Sequence, residues 1–285
     1  MKGNGEEFIM LPTVDFCFKE LMQNAKVRQG MIAALLGVEP EEIQETILLP
    51  TVLHTEYPDE KYGILDVKVV LKNGTQMDFE MQVTAVAYWT KRILFYLGKM
   101  YTGQLKAGES YDKLKKCIHV GILNFIHFPE DARCYRKIIF CDKDTGEAYT
   151  DLMEIHVLEL EKLPKEEQNE AGIIRWMRFL GAKSRREFEK MAEKDSYMEE
   201  AYEMLKHMSA DEKKRLEYEA REKAIRDYHS QMQSMREEGF VNGEKRKAVN
   251  IITNMLRKGK SPEEIAELTG EELEEILEIK REEFT

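Results

Sequence analysis

The stretch from residue 63 to residue 83 constrains the fold more than any other, because it has the pattern of a β-hairpin. Two alternating apolar and polar segments flank the turn sequence Lys72-Asn73-Gly74, and Asn-Gly is a strong hairpin signal. A two-residue loop would mix apolar and acidic side chains on both faces. A three-residue loop pairs Leu71 with Thr75 and separates the two kinds of side chain. Because the buried face decides strand register, we expect the three-residue loop, with Gly74 in the left-handed conformation.

The expected register gives the hairpin one polar face and one apolar face. The apolar face consists of Leu65, Val67, Val69, Met77, Phe79 and Met81. The polar face carries Asp66 opposite Glu80, and Lys68 opposite Asp78. Carboxylates directly opposite on adjacent strands repel each other, so water, a nearby cation or a bound metal must offset the repulsion. Two carboxylates one strand apart suit Mg²⁺, which keeps several of its waters. The alternative is an ordinary polar strand face.

The segments around the hairpin predict a mixed α/β fold. Apolar residues at helical spacing predict one helix at 15–36, before the hairpin, and another at 88–106, after it. Apolar runs predict further strands at 46–54, 117–124, 135–141 and 149–160. The predicted order is therefore a helix, three strands, a second helix and additional strands.

Charge divides the chain near residue 163. Among residues 161–285, 55 of 125 are charged, compared with 42 of the 160 residues before them. Charges of balanced sign at this density are typical of solvated helices. We therefore expect an α/β core at 1–163 and a charged helical region at 164–285. The helical region includes a long helix at 211–238, interrupted by Gly239 and Gly243, and we expect its helices to pack or to join subunits of a homo-oligomer.

Composition excludes several classes of protein. The net charge of −11 argues against a protein that coats nucleic acid through its overall charge, although a local basic groove remains compatible with it. No apolar run approaches the roughly 20 residues of a membrane span, and the polar first residues do not resemble a secretory signal. Four cysteines without CxxC spacing favour reduced thiols in a cytoplasmic protein. The six histidines have no zinc-ligand spacing.

Several stretches of the first half form a recognisable set. They are Asp15-Phe16-Cys17-Phe18-Lys19, Gly63-Ile64-Leu65-Asp66-Val67-Lys68, Phe79-Glu80-Met81-Gln82, and 92–99 with its continuation to 111. The set resembles the recombination-promoting nuclease/putative transposase family, a branch of the PD-(D/E)XK nuclease superfamily, over about residues 11–129. The resemblance implies a restriction-endonuclease-like α/β core with a central mixed sheet. It also implies Mg²⁺-dependent hydrolysis of phosphodiester bonds, with Mn²⁺ as a substitute, and DNA as the substrate.

The resemblance further implies roles for residues of the hairpin. Asp66 and Glu80 would bind the metal, and Gln82 stands where the wider superfamily usually has lysine. Glutamine contributes a dipole to the transition state, whereas lysine contributes a positive charge. Lys68 is a candidate substitute for that lysine, and the alternative for it is a salt bridge to Asp78.

Side chains of the two flanking helices complete the expected site. Asp15 would reach it as a further acidic group, or else be a first-turn charge of its helix. Arg92, Lys99 and Lys106 follow one another at seven-residue spacing, beside Lys91, on one face of the helix expected at 88–106. Such a stripe would hold the DNA backbone. The alternative is a solvated helix face.

Taken together, the residues and the resemblance predict a metal-dependent DNA endonuclease. The metal would lie on Asp66 and Glu80, and the amide of Gln82 would hold the attacking water. The competing hypothesis is a nuclease-like DNA- or protein-binding module that lacks activity. The missing motif lysine and the negative net charge favour that second hypothesis.

Overall fold

One mixed sheet forms the centre of the protein. The computed structural model describes residues 8–52, 65–165 and 170–284. Its strands are β1 (Thr46–Leu49), β2 (Val67–Leu71), β3 (Gln76–Gln82), β4 (Cys117–Leu123), β5 (Tyr135–Cys141) and β6 (Ala148–Glu159). Their order in the sheet is β1-β2-β3-β4-β6-β5. The pairs β3–β4 and β4–β6 are parallel, and the other neighbours are antiparallel.

Helices precede, interrupt and follow the strands. Those of the described residues are α1 (Asp15–Leu21), α2 (Ala25–Leu36), α3 (Trp89–Thr102), α4 (Gly172–Gly181), α5 (Arg185–Ala192), α6 (Ser196–Ala210), α7 (Glu212–Arg257), α8 (Pro262–Thr269) and α9 (Leu273–Phe284). The expected α/β core with a central mixed sheet and the helical C-terminal region are both confirmed.

Residues that alternate along the central strands face two different apolar cores. Phe79 and Val120 belong to a large core that they share with α1, α2, α4, α5 and α6. Leu123 belongs to a smaller core with Trp89 and Ile93 of α3. Helix α3 therefore covers the sheet face that carries the polar residues of the hairpin.

The hairpin has the register that the sequence predicts. Lys68 lies opposite Asp78, and the backbone N–H of Leu71 donates to the carbonyl of Thr75 at 2.9 Å. Gly74 has a φ of +88°, the left-handed conformation expected at the third loop position. One member of the expected apolar face differs, since Leu65 lies outside β2 and packs in a cluster on the α3 side.

The helix expected at 15–36 is two helices. α1 ends at Leu21, and α2 begins at Ala25. The side chain of Asn24 accepts hydrogen bonds from the backbone N–H groups of Lys26 and Val27, which caps α2. The helix breaks at residues 22–24. There the Asn24 side chain accepts from the first N–H groups of α2, which have no carbonyl of a preceding turn to bond to.

Two other helices have unexpected ends. α3 stops at Thr102, with Gly103 at its C-cap, and does not extend to residue 106. α7 continues through Gly239 and Gly243 to Arg257, so the interruption expected there is wrong. A glycine costs a helix interior about 1 kcal/mol relative to alanine, which a helix of this length tolerates.

The described chain forms two compact units, Met1–Lys223 and Ala224–Thr285. This division lies well beyond the boundary expected near residue 163. The difference arises because Trp176, Phe179 and Phe188 of α4 and α5 are buried in the same core as the sheet. In the second unit, Ile252, Ile265 and Ile276 form a small core of α7, α8 and α9.

Two further features concern membrane-spanning helices and the cysteines. Among the described residues, no helix combines the length and the apolar character needed to cross a membrane. All four cysteines are free thiols. Burial raises the pKa of the Cys117 thiol to about 12, so this thiol is protonated at neutral pH.

Candidate active site

Asp66 and Glu80 lie next to each other at one end of the β2–β3 pair. Asp66 directly precedes β2, and the observed register, extended by one residue, sets it opposite Glu80. Its Oδ2 accepts a hydrogen bond of 3.2 Å from the backbone N–H of Met81. The side chains of Asp66 and Glu80 are 21% and 13% exposed, so both carboxylates are largely withdrawn from water. The fold therefore brings together the two acidic residues that the sequence singles out.

A lysine neutralises Asp66. Nζ of Lys19, in α1, lies 2.9 Å from Oδ1 of Asp66 and 3.5 Å from Oδ2 of Asp15. Burial alone would lower the pKa of Lys19, but the attraction of Asp66 and Asp15 outweighs it and raises the pKa. Lys19 is therefore charged at neutral pH, and Asp15 is linked to the hairpin through it.

An arginine neutralises Glu80. Nη2 of Arg92, in the first turn of α3, lies 2.7 Å from Oε1 of Glu80. Burial raises the pKa of Glu80, although the positive charge of Arg92 opposes the change. The other oxygen, Oε2, is buried and has no hydrogen-bond partner among the residues that the structure describes. Within the described part of the chain, Glu80 thus keeps one unpaired oxygen inside the site.

Gln82 holds the same arginine. Its Oε1 accepts a hydrogen bond of 2.6 Å from Nη2 of Arg92, and its Nε2 donates to the carbonyl of Thr84 at 3.0 Å. Both amide atoms therefore have protein partners, whereas the sequence predicts that the amide holds the attacking water. One N–H of the amide and one lone pair of its oxygen remain for such a molecule.

Lys68 takes no part in a salt bridge with Asp78, although the two residues face each other in the register. Asp78 instead bonds to His119 of β4, with 2.7 Å between Oδ2 and Nδ1. Burial lowers the pKa of Lys68, and the interactions of Lys68 with Cys117 and Asp78 only partly oppose this. Lys68 therefore lies near the site without contacting either Asp66 or Glu80.

His119 belongs to the site although the sequence gives no signal for it. It is fully buried, and its Nε2 has no hydrogen-bond partner within the described part of the chain. Burial lowers its pKa, but Asp78 and Glu80 outweigh this and raise it. A single histidine in an apolar strand is ordinary in a sequence, and only the parallel pairing of β3 with β4 shows that it faces Asp78.

Two members of the expected basic stripe lie elsewhere than predicted. Arg92 is drawn into the carboxylate site by Glu80. Lys106 lies beyond Thr102, the last residue of α3, and its backbone N–H bonds to Glu109. The seven-residue spacing therefore does not produce one helical face from 92 to 106.

The other two basic residues remain on α3. Lys91 is exposed, with its Nζ 5.3 Å from the centre of the Tyr88 ring. Lys99 is half-buried, with its Nζ 5.9 Å from the centre of the Phe95 ring. Both lysines belong to α3, the helix that carries Arg92, and each ammonium group lies near an aromatic ring.

The donor set fits a hydrated magnesium ion better than a metal held by protein alone. Among the described residues, no group of three or more histidine, cysteine, aspartate and glutamate side chains is arranged to hold a metal. Mg²⁺ takes one or two protein carboxylates and keeps several waters. The unpaired Oε2 of Glu80, with the Asp66 carboxylate beside it, suits that requirement.

The sequence gives little signal that Lys19 and Arg92 pair with the two carboxylates. Asp15 and Lys19 are four residues apart on a helix, which is a signal for an ion pair, but Asp66 is distant in sequence. Arg92 lies ten residues after Gln82, and nothing local joins them. Only the packing of α1 and α3 beside the hairpin brings these charges together.

Comparison with known proteins gave one finding. A family model described as PD-(D/E)XK nuclease family transposase matches residues 12–235. The matched segment contains the six strands that the structure describes and every residue of the candidate site. Comparisons with curated proteins and with solved structures gave no match.

Proposed function

The chain belongs to the PD-(D/E)XK nuclease family transposases, and from this membership we propose that it is a metal-dependent endonuclease that hydrolyses phosphodiester bonds in DNA. The observation that carries the proposal is the juxtaposition of Asp66 and Glu80, with the buried, unpaired Oε2 of Glu80. Nucleases of the PD-(D/E)XK type typically use divalent metals. A carboxylate oxygen that is buried without a partner is costly, and a cation would offset that cost.

Asp66 and Glu80 are the residues that would hold Mg²⁺, or Mn²⁺ in its place. Bound there, the ion would polarise a phosphoryl oxygen and lower the pKa of a bound water. The remaining donor and acceptor of Gln82 would orient a water beside the phosphate. Lys19 forms an ion pair with Asp66, because its ammonium group lies 2.9 Å from Oδ1.

The DNA backbone would lie along the exposed side of α3. Lys91 and Lys99 supply positive charge there, and Lys106 adds to it from the turn after the helix. Neutralising phosphates releases counterions, so binding through these residues is expected to weaken as salt increases. Their contribution is therefore to position the duplex over the carboxylates.

A plasmid assay tests the proposal. Supercoiled DNA should be nicked in Mg²⁺ or Mn²⁺, and not in EDTA. Glu80→Ala should reduce the rate at least about 100-fold, since loss of one electrostatic contact at the reacting centre typically costs this much. Glu267→Ala, a matched change at an exposed position of α8, should leave the rate unchanged. Nicking that ignores EDTA, or full nicking by Glu80→Ala, would refute the proposal.

The second candidate function is DNA or protein binding without cleavage. Lys19 and Arg92 favour it, because they already neutralise the two carboxylates. Under this hypothesis Glu80→Ala leaves DNA binding intact, and wild-type protein never nicks the plasmid in any divalent metal. Fluorescence anisotropy with a labelled duplex, measured alongside nicking, separates the two functions.

A homo-oligomer through the C-terminal helices is part of the proposal. In the second compact unit, α7 exposes an apolar stripe at alternating three- and four-residue spacing. The stripe consists of Ile225, Tyr228, Met232 and Met235. His229 and Arg236 flank one side of it, and Gln231 and Glu238 flank the other. A parallel second copy would cover this stripe, as in a two-stranded coiled coil.

Sedimentation velocity tests the oligomer. Met232→Lys with Met235→Lys should convert a dimer to a monomer. Ser230→Lys with Ser234→Lys adds the same charge on another face of α7 and should not. A wild-type protein that sediments as a monomer would contradict this part of the proposal.

We place the protein in the cytoplasm, where its four free thiols would remain reduced.

A further inference from the structure

Arg92 is held by two acceptors on β3. One nitrogen, Nη2, lies 2.7 Å from Oε1 of Glu80 and 2.6 Å from Oε1 of Gln82. The Nε2 of Gln82 donates to the carbonyl of Thr84, which fixes the amide with its oxygen toward the guanidinium. A flipped amide would set N–H groups against Arg92 and lose both bonds. Gln82 is thus oriented to receive a cation.

The backbone before Arg92 is also fixed. Tyr88, which precedes the first residue of α3, has a φ of +66° and is the one non-glycine residue with positive φ among those described. Trp89 is 3% exposed and packs against Gly121 of β4, where an added Cβ would lie 2.6 Å from its ring. This strained turn and buried anchor hold the first turn of α3, and with it Arg92, beside the hairpin.

Other cations near the hairpin are less suited to act on a phosphate at Glu80. Lys19 bonds to Asp66 and Asp15. Lys68 forms no salt bridge with Glu80 or Asp78. Arg92 keeps Nη1 without a partner among the described residues, and its side chain is 31% exposed. Its guanidinium can therefore bond to Glu80 and to a phosphate oxygen at the same time.

We infer that Arg92 supplies, from α3, the positive charge that the wider superfamily takes from a lysine at the position of Gln82, and that Gln82 is a positioning residue for it. The inference rests on the proposed function, because the charge would stabilise the phosphate as it is cleaved. Glutamine at this position is then an acceptor for an arginine, and the missing motif lysine no longer argues against activity.

Exchange of the charge between the two positions tests the inference. The variants are Arg92→Gln, Gln82→Lys, the double variant with both changes, Gln82→Ala, and Arg186→Gln as a control on the exposed face of α5. Single-turnover cleavage of a labelled duplex is measured for each. Mn²⁺ binding by calorimetry, without DNA, provides a second readout, and thermal unfolding checks that each variant folds.

Arg92→Gln should cleave at least about 100-fold more slowly than wild type, as expected for loss of one preorganised charge. It should also bind Mn²⁺ several-fold more tightly, because Glu80 loses the cation that competes with the metal. The double variant should recover at least tenfold of the lost rate and return to weaker Mn²⁺ binding. Gln82→Ala should lower the maximal single-turnover rate with little change in the protein concentration that gives half of it, and Arg186→Gln should match wild type.

Three results would overturn the inference. In the first, wild type cleaves and Arg92→Gln cleaves equally fast. In the second, Arg92→Gln is slow, but the double variant recovers nothing, so that the arginine has a structural role only. In the third, Mn²⁺ affinity is the same in wild type and Arg92→Gln. Absence of cleavage by wild type in every metal would instead reject the proposed function, and this role of Arg92 with it.

Discussion

Each carboxylate on the polar face of the hairpin has a basic side chain beside it. The pairs are Asp66–Lys19, Glu80–Arg92 and Asp78–His119. The repulsion expected between Asp66 and Glu80 is therefore offset by the protein itself. A metal at this site must compete with Lys19 and Arg92, so that its binding is expected to be weak without DNA.

A second buried network, outside the candidate site, gives a prediction on pH. His156 accepts a hydrogen bond from Tyr135 at Nδ1 and donates to Glu154 from Nε2, at 2.7 and 3.2 Å. Burial raises the pKa of Tyr135 to about 12, so its hydroxyl keeps the proton that it donates. Burial lowers the pKa of His156 below its ordinary 6.5, although Glu154 opposes this. Neutral imidazole is therefore the form that the fold stabilises.

The sign of the effect follows from linkage. Below pH 6.5 the unfolded chain takes up a proton on His156 that the folded protein does not. Wild type should therefore lose stability as pH falls from 7.5 to 5.5, relative to His156→Gln, by at most about 1.4 kcal/mol per pH unit. Urea unfolding at both pH values measures this. Equal losses in the two proteins would show that His156 does not carry the effect.

At the scale of elements, the hairpin is the part that the sequence determines best. Its register follows from local alternation and from Gly74, so that no distant contact is needed to predict it. The prediction of one helix at 15–36 is wrong because the Asn24 cap begins a second helix inside it, and the predicted end of α3 is wrong because the helix stops at its Gly103 C-cap. The candidate site was predictable only for residues on the hairpin, since Lys19 and Arg92 reach it by packing.

A glycine substitution in the turn tests how strongly the turn determines the hairpin, and a second one in α3 serves as a comparison. Gly74→Ala should destabilise the protein by about 1–2 kcal/mol, because alanine resists the left-handed conformation. Its Cβ would also lie 2.9 Å from the side chain of Lys115, which is flexible enough to move. Gly98→Ala, within α3 and clear of other atoms, should stabilise by about 0.5–1 kcal/mol. Thermal unfolding of both variants measures this, and a neutral Gly74→Ala would contradict the assigned turn.

At the scale of the whole molecule, the division of the chain depends on buried aromatic residues. The charge pattern predicts a boundary near residue 163, because residues 161–285 as a whole are much richer in charge than the residues before them. Trp176, Phe179 and Phe188 are nevertheless buried in the large apolar core that the sheet shares with α4, α5 and α6. A count of charges over a region does not show that a few apolar residues lie together on one face of its helices. The boundary predicted from charge therefore differs from the boundary between the two compact units.

Truncated chains test the two divisions. A chain that ends at Lys223 should unfold in one cooperative transition, with a Tm close to that of the first unit in the full protein. A chain that ends at Leu163 should be far less stable and should aggregate, since it exposes the apolar surface that α4, α5 and α6 cover. Circular dichroism on heating measures this. Equal Tm values for the two chains would place the domain boundary at 163 after all.

The most direct test of the central claim joins metal binding to cleavage in one protein. Mn²⁺ is titrated into wild type and Glu80→Gln, which keeps the shape of the side chain and removes its charge, with a labelled duplex as substrate. In wild type, cleavage should rise with Mn²⁺ along the same curve as binding, and Glu80→Gln should lose both. Full cleavage by Glu80→Gln, or cleavage by wild type without divalent metal, would contradict the assignment of Asp66 and Glu80 as the metal-binding centre of a nuclease.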